Sequence, residues 1–214
     1  MINRLFILTC DPKGQDEFNS VGENNLFVSI EKEEGTLGMF SAHDPEDRRV
    51  NYVFEIYKDE DAYQVHAHAP QFLAFGGVAK NYLTDRKVIT LNPEFFTEKP
   101  EKLRVKPDND LSVRLAYVKV KEDKMDAFKA SVTKNMKTSV EKEPGVLAMY
   151  GSTVADSPQE WYFWEVYQNE DAYQAHRETD HFKTYITETA DCLEEKSLKP
   201  LTGDCLVNKP SFAK

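Results

Sequence analysis

Apolar and polar positions alternate along this chain in a pattern that is written twice. Leu5 to Thr9 and Val113 to Val120 are short apolar or alternating runs, each predicting a buried strand. A stripe of apolar residues three or four apart follows, at Met125, Phe128, Val132, Met136 and Val140 in the second copy and at Phe18, Gly22, Leu26 and Ile30 in the first. That spacing predicts an amphipathic helix, with Gly35 and Gly145 expected to end it at positive φ. Thr36 to Ala42 with Val50 to Tyr57, and Val146 to Thr153 with Trp161 to Tyr167, then read as hairpins around the turn-rich segments 43–48 and 154–159. Asp59 or Asn169 can cap a short helix, whose first turn carries an acidic pair at the positive end of the helix dipole. A second helical piece runs through Phe72 or Phe182, and Lys87 to Leu91 or Ser197 to Leu201 closes each copy as a strand.

The two copies align without a gap at a constant offset of 110 residues. Glu55, Tyr57, Glu60, Asp61, Tyr63, Gln64 and His66 fall on Glu165, Tyr167, Glu170, Asp171, Tyr173, Gln174 and His176, and Glu31-Lys32-Glu33 falls on Glu141-Lys142-Glu143. Matching over a whole domain's length points to duplication. The chain therefore divides into one repeat over 1–92, a Pro-containing, charged connector over 93–110, and a second repeat over 111–209. Strand, helix, strand, strand, helix, strand is the ferredoxin-like βαββαβ order, an α+β fold. Strand alternation separates Tyr162, Trp164 and Val166 from Trp161, Phe163, Glu165 and Tyr167. The wholly apolar or aromatic set is expected to carry the helices. The Glu-bearing faces of the two repeats would then enclose a shared space, making the chain an intramolecular pseudo-dimer shaped as an α+β barrel. Further pairing of two chains stays open.

Composition narrows the function. With 40% hydrophobic and 30% charged residues the chain reads as folded and soluble, and a formal charge of -10 argues against broad contact with nucleic acid or anionic membrane. No apolar run approaches the length of a membrane span or a secretory signal. Cys10, Cys192 and Cys205 form neither an even disulfide framework nor a CxxC pair, so a reducing, cytoplasmic setting fits best.

Candidate chemistry gathers on the duplicated residues. His176 and His66 are the first choices for a general base, since imidazole titrates near neutral pH. The structural alternative is that each merely ties its helix to the sheet. Glu165 and Glu55 would face the cavity, Glu165 orienting His176, where desolvation would raise a carboxyl pKa. His181 lies five residues beyond His176 and can join it only if the helix breaks near Thr179. Asn135 and Asn25 could hydrogen-bond a substrate carbonyl, and Trp161, Phe163 and Tyr150 could stack on a flat substrate. His43 and His68 have no counterpart in the other repeat and are expected at the surface. The five histidines show no metal-ligand spacing, and no nicotinamide or flavin motif is visible.

Glu143-Pro144-Gly145, the aromatic-rich strand Trp161 to Tyr167, the acidic pair Glu170-Asp171, and His176 with His181-Phe182 together resemble the antibiotic-biosynthesis monooxygenase (ABM) superfamily of dimeric α+β barrels. The first repeat departs from it in carrying Gln71 where the second has His181. The resemblance implies a cofactor-independent oxygenase, in which a base removes a proton from a small quinol-like or polyketide-like molecule and the resulting anion reacts with molecular oxygen. Segments 57–62 and 121–126 are also similar to the ABM-fold isomerase of phosphorylated autoinducer-2. An isomerase of a small carbonyl compound, or a non-catalytic ligand-binding module, are thus the alternatives.

Overall fold

The computed structural model describes residues 1–209 and Phe212. In the first repeat β1 (Ile2–Cys10) passes through a short 3-10 turn into α1 (Gln15–Lys32), followed by β2 (Thr36–His43), β3 (Val50–Tyr57), α2 (Glu60–Ala67), α3 (Pro70–Tyr82) and β4 (Leu83–Glu98). After a two-residue strand, β5 (Arg104–Val105), the order recurs as β6 (Ser112–Val120), α4 (Met125–Lys142), β7 (Val146–Val154), β8 (Ser157–Tyr167), α5 (Glu170–Glu178), α6 (Asp180–Glu188) and β9 (Leu193–Asn208). Both repeats are thus βαββαβ, and the α+β class read from the sequence is the one observed. No described helix is long and apolar enough to cross a membrane.

The chain forms two compact units whose boundaries differ from the repeat boundaries. One combines Met1–Leu91 with Glu101–Asn109 and Thr202–Phe212, and the other combines Asn92–Pro100 with Asp110–Leu201. In the first unit the strands run β5, the end of β9, β2, β3, β1 and the start of β4; β1 pairs with β3 and β4, and β2 with β3 and β9, all antiparallel. In the second unit the order is the end of β4, then β7, β8, β6 and the start of β9. The stretch expected as a connector is in part strand: Glu94 and Glu98 of β4 accept hydrogen bonds from Thr153 and Tyr150 of β7, at 3.0 and 2.7 Å.

Helix boundaries follow local chemistry. Asp59 and Asn169 accept hydrogen bonds from the backbone N–H of Ala62 and Ala172 at 2.9 and 2.8 Å, capping α2 and α5 as their types and positions predict. Thr179, with an extended backbone (φ -69°, ψ 150°), separates α5 from α6, the break that His181 requires. Gly35 and Gly145 act differently from the expectation, since no described glycine has positive φ. A Cβ on Gly35 would stand 2.3 Å from the Ala62 Cβ, and one on Gly145 2.5 Å from the Ala172 Cβ. Glycine is needed there because the first turn of α2 or α5 descends onto the backbone.

The assignment of sheet faces also needs correction. Register pairs Arg4 with Glu55, Phe6 with Val53 and Leu8 with Asn51, so these residues share one face. Leu8 and Val53 pack against Phe18 of α1 and Phe75 and Ala79 of α3. Likewise Trp161, Phe163 and Tyr167 pack against Phe128, Val132 and Met136 of α4. The Glu-bearing face therefore carries the helices in each repeat. Phe54, Ile56, Trp164 and Val166, on the opposite face, are fully buried as well. Alternation sorts the two sets, but both are apolar enough to be covered, so polarity alone cannot say which set meets helices.

Candidate functional site

Between the sheet and its helices, each repeat holds a buried histidine with two glutamates, joined in the second repeat by His181. In the second repeat Glu143, the extended C-cap residue of α4, takes His176 Nδ1 at 2.9 Å and His181 Nε2 at 2.7 Å on one carboxylate oxygen. Glu165 instead accepts from the Tyr167 hydroxyl at 2.8 Å. His176 is thus oriented by Glu143 and not by Glu165, the partner expected from strand alternation. Its ring is packed by Phe182 and Tyr167, with centroids 4.7 and 5.6 Å away. In the first repeat His66 Nδ1 meets Glu33 at 3.1 Å, and Gln71 donates to Glu33 at 2.6 Å from the position that His181 occupies in the second. Tyr57 donates to Glu55 at 2.8 Å. His66 is fully buried, and its Nε2 has no hydrogen-bond partner.

The two carboxylates of each cluster are driven in opposite directions. Burial pushes Glu55 up, and the attraction of His66, the Tyr57 hydroxyl and Arg4 offsets it only in part. Glu165 is raised for the same reason against His176, Tyr167 and Arg114. Burial alone would raise Glu33 and Glu143 too, but hydrogen bonds and charge from His66 and Thr36, or from His176 and His181, outweigh it and hold both below the ordinary value. Each cluster thus pairs an ionised glutamate that holds the histidine with a second glutamate that resists ionisation. Arg4 and Arg114 lie over the rings of Tyr63 and Tyr173, 3.5 and 4.0 Å from the centroids.

The space beside these clusters differs sharply. A cavity of about 760 Å³ opens in the first repeat, lined by apolar residues of the sheet face and of α1 and α3, with Glu55, Asn25 and Asn51 as its inner polar groups. The second repeat holds a pocket of about 160 Å³ near Asn135 and His181. At the 110-residue offset Gly22, Asn51 and Val53 are replaced by Val132, Trp161 and Phe163. Trp161 and Phe163 stack 5.7 Å apart with planes inclined by 10°, and both are buried in the core around Phe128. These two aromatics, expected to line a cavity, fill the place of one. Tyr150 is fully buried on the opposite sheet face, its ring against Phe96 and its hydroxyl donating to Glu98.

The remaining expected residues are placed as follows. Asn25 lines the large cavity and accepts a 3.5 Å hydrogen bond from Ser29, whereas Asn135 lines the small pocket with its buried Oδ1 unpartnered. His68 is exposed, but His43 is largely covered and lies 2.9 Å from Asp204. Although the histidines lack metal-ligand spacing along the chain, Glu143, His176 and His181 converge in space. Glu33 and Glu143 were missed as site residues because they sit 33 positions before their histidines. Their repetition at the 110-residue offset was the available signal.

Chemically, Glu55 is the one buried carboxylate among the residues that line the large cavity. The cavity's buried ionisable groups are Glu55 and Cys205, and burial pushes the Cys205 thiol up to about 12, so it stays protonated near neutrality. Glu55, with a raised pKa and its carboxylate held by Tyr57, is suited to proton abstraction.

The family model described as antibiotic biosynthesis monooxygenase matches residues 1–77 and again 112–188. Among solved structures, a protein of Lactobacillus acidophilus NCFM provisionally described as a monooxygenase is 33% identical over 100% of this chain and 98% of its own, with a TM-score of 0.92. A Fusobacterium nucleatum protein with the same provisional description is 23% identical over 100% of this chain and 96% of its own, with a TM-score of 0.90. An anthrone oxidase-like protein is 12% identical over 97% and 92%, with a TM-score of 0.62. At these identities the last two show likeness of fold alone. No curated protein matches the chain.

Proposed function

The chain belongs to the antibiotic biosynthesis monooxygenase family, whose domain it carries twice, and from that premise we propose that it oxygenates a small, planar, quinol-like or polyketide-like molecule in the cavity of the first repeat. The observation that carries this reading is the cavity itself, about 760 Å³ with mainly apolar walls and a buried, raised-pKa Glu55 among its polar groups. Cavities of this size suit small organic ligands, with apolar walls supplying affinity and a few polar groups fixing orientation.

Glu55 is the base and Asn25 and Asn51 orient the substrate's oxygens. Glu55 takes a proton from an activated ring CH2 or from a phenol next to an oxidisable carbon, leaving a delocalised anion. That anion gives its electrons to oxygen and forms a C–O bond as a hydroperoxide. Loss of water from the hydroperoxide leaves a carbonyl, so one oxygen atom enters product and the other leaves as water without an external reductant. His66, held by Glu33, is a positioning residue whose positive form would favour the Glu55 carboxylate. The second repeat keeps the cluster but fills the space, and its contribution is structural support.

Oxygen uptake with a panel of quinols and anthrone-like phenols tests this directly. Wild type should consume oxygen, and Glu55→Gln should lower kcat by about 10²–10⁴-fold, the usual contribution of a general base. A wild-type rate no faster than that of the variant on every substrate would remove the oxygenase. Turnover of a small carbonyl compound without oxygen uptake would instead favour proton shuttling, that is, an isomerase using the same carboxylate.

A further inference from the structure

Glu143, His176 and His181 offer a carboxylate oxygen and two imidazole nitrogens within 4.8 Å of one another, the one such group among the described residues. We infer that they form a site for a divalent transition-metal ion, with Glu143, His176 Nδ1 and His181 Nε2 as its protein ligands. Two imidazoles and a carboxylate are a donor set that suits zinc and neighbouring first-row ions, with positions left over for water or another ligand.

The comparison with the first repeat separates this role from simple hydrogen bonding. Holding the glutamate requires only a donor, and Gln71 supplies one to Glu33 at 2.6 Å from the matching position. His181 adds a ring nitrogen lone pair that an amide nitrogen lacks. Both rings already aim at one oxygen, at 2.9 and 2.7 Å. Ligand atoms around a tetrahedral zinc with bonds of 2.0–2.1 Å are about 3.3 Å apart, so the two N···O separations of 2.9 and 2.7 Å need to widen only slightly, and the ring nitrogens already lie within 4.8 Å of one another. The side chains of His176 and Glu143 are 2% and 12% exposed, while His181 at 21% leaves a route of entry.

A second observation lies beside it. The 160 Å³ pocket shares His181 with Asn135, which is 6% exposed and whose Oδ1 has no hydrogen-bond partner. A buried amide oxygen left unpaired is costly, and a metal-bound water in that pocket would satisfy it. In the first repeat the equivalent Asn25 accepts from Ser29, so the orphaned oxygen accompanies the complete His-His-Glu set and not the Gln-containing one.

The test uses the full chain after dialysis against a chelator. Equilibrium dialysis with Zn²⁺ should give one equivalent per chain, and Co²⁺ should produce the visible d–d absorption of a site with nitrogen ligands. His181→Gln, the residue that the first repeat already carries, should weaken Co²⁺ binding by about 100-fold while leaving the thermal midpoint of the metal-free chain unchanged. His68→Ala, at an exposed histidine, should bind as wild type does. Failure of the wild type to bind either ion, or equal Co²⁺ affinity in wild type and His181→Gln, would overturn the inference. Neither result depends on oxygenase activity, so its failure is distinguishable from failure of the functional proposal.

Discussion

Gly22, Asn51 and Val53 leave a space in the first repeat that Val132, Trp161 and Phe163 fill in the second. The backbone order and the glutamate-histidine cluster are the same in both. These three side chains on one helix and one strand are among the differences that separate a cavity from a packed core on the same fold. The polar inventory diverges in the opposite sense, because the repeat with the filled interior keeps the second histidine and the open one has Gln71. The two copies thus differ in opposite senses, one holding a cavity beside Gln71 and the other a packed core beside His181.

The sharpest way to break that contrast is to remove the same carboxylate from each copy. Glu55→Gln should reduce turnover about 10²–10⁴-fold, and Glu165→Gln should leave it within about twofold, measured by oxygen uptake. Equal losses would mean that both repeats react. Because burial raises Glu55 above its ordinary value near 4.5, wild-type kcat should climb with pH through a range above that of a free carboxylate. The linked stability runs the other way: the folded state binds the proton more tightly than the unfolded chain, so Glu55 makes stability fall as pH rises from about 4.5 through its raised value, and Glu55→Gln should remove that slope.

Packing gives the next largest difference. Phe163→Ala should cost about 3–5 kcal/mol in denaturant melts, because it empties a close-packed core. Val53→Ala, beside an existing cavity, should cost only about 1–2 kcal/mol. Conversely, Asn51→Trp with Val53→Phe should fill the first cavity and raise the Kd for a bound quinol at least tenfold without lowering the melting temperature. A smaller effect is expected at the glycines. Gly35→Ala should destabilise by about 1–3 kcal/mol, since its Cβ would meet that of Ala62. Gly77→Ala, where a Cβ meets nothing within 4 Å, should stabilise α3 by about 0.5–1 kcal/mol.

Much of this was legible in the order of residues. The constant offset predicted both repeats, the Asp59 and Asn169 caps were recognisable from type and position, and the break at Thr179 that brings His181 to His176 followed from local turn chemistry. Which strand face carries the helices was not legible, because Val53 and Tyr57 on one side are as apolar as Phe54 and Ile56 on the other. The partner of His176 was also misread. Strand alternation grouped Glu165 with Trp161, Phe163 and Tyr167 as observed but turned that set away from the helices it in fact meets, and Glu143 reaches the ring from the end of a different helix.

Local composition and periodicity by themselves determined the duplicated βαββαβ order, the helix caps and the set of duplicated glutamates and histidines, because each depends on contacts between near neighbours in the chain. Only the tertiary structure decided which glutamate grips which histidine, that Gly35 and Gly145 make room for a neighbouring alanine, and that one repeat is open where the other is full. Those outcomes depend on side-chain volumes meeting across elements far apart in sequence, and single-chain periodicity carries no record of such meetings.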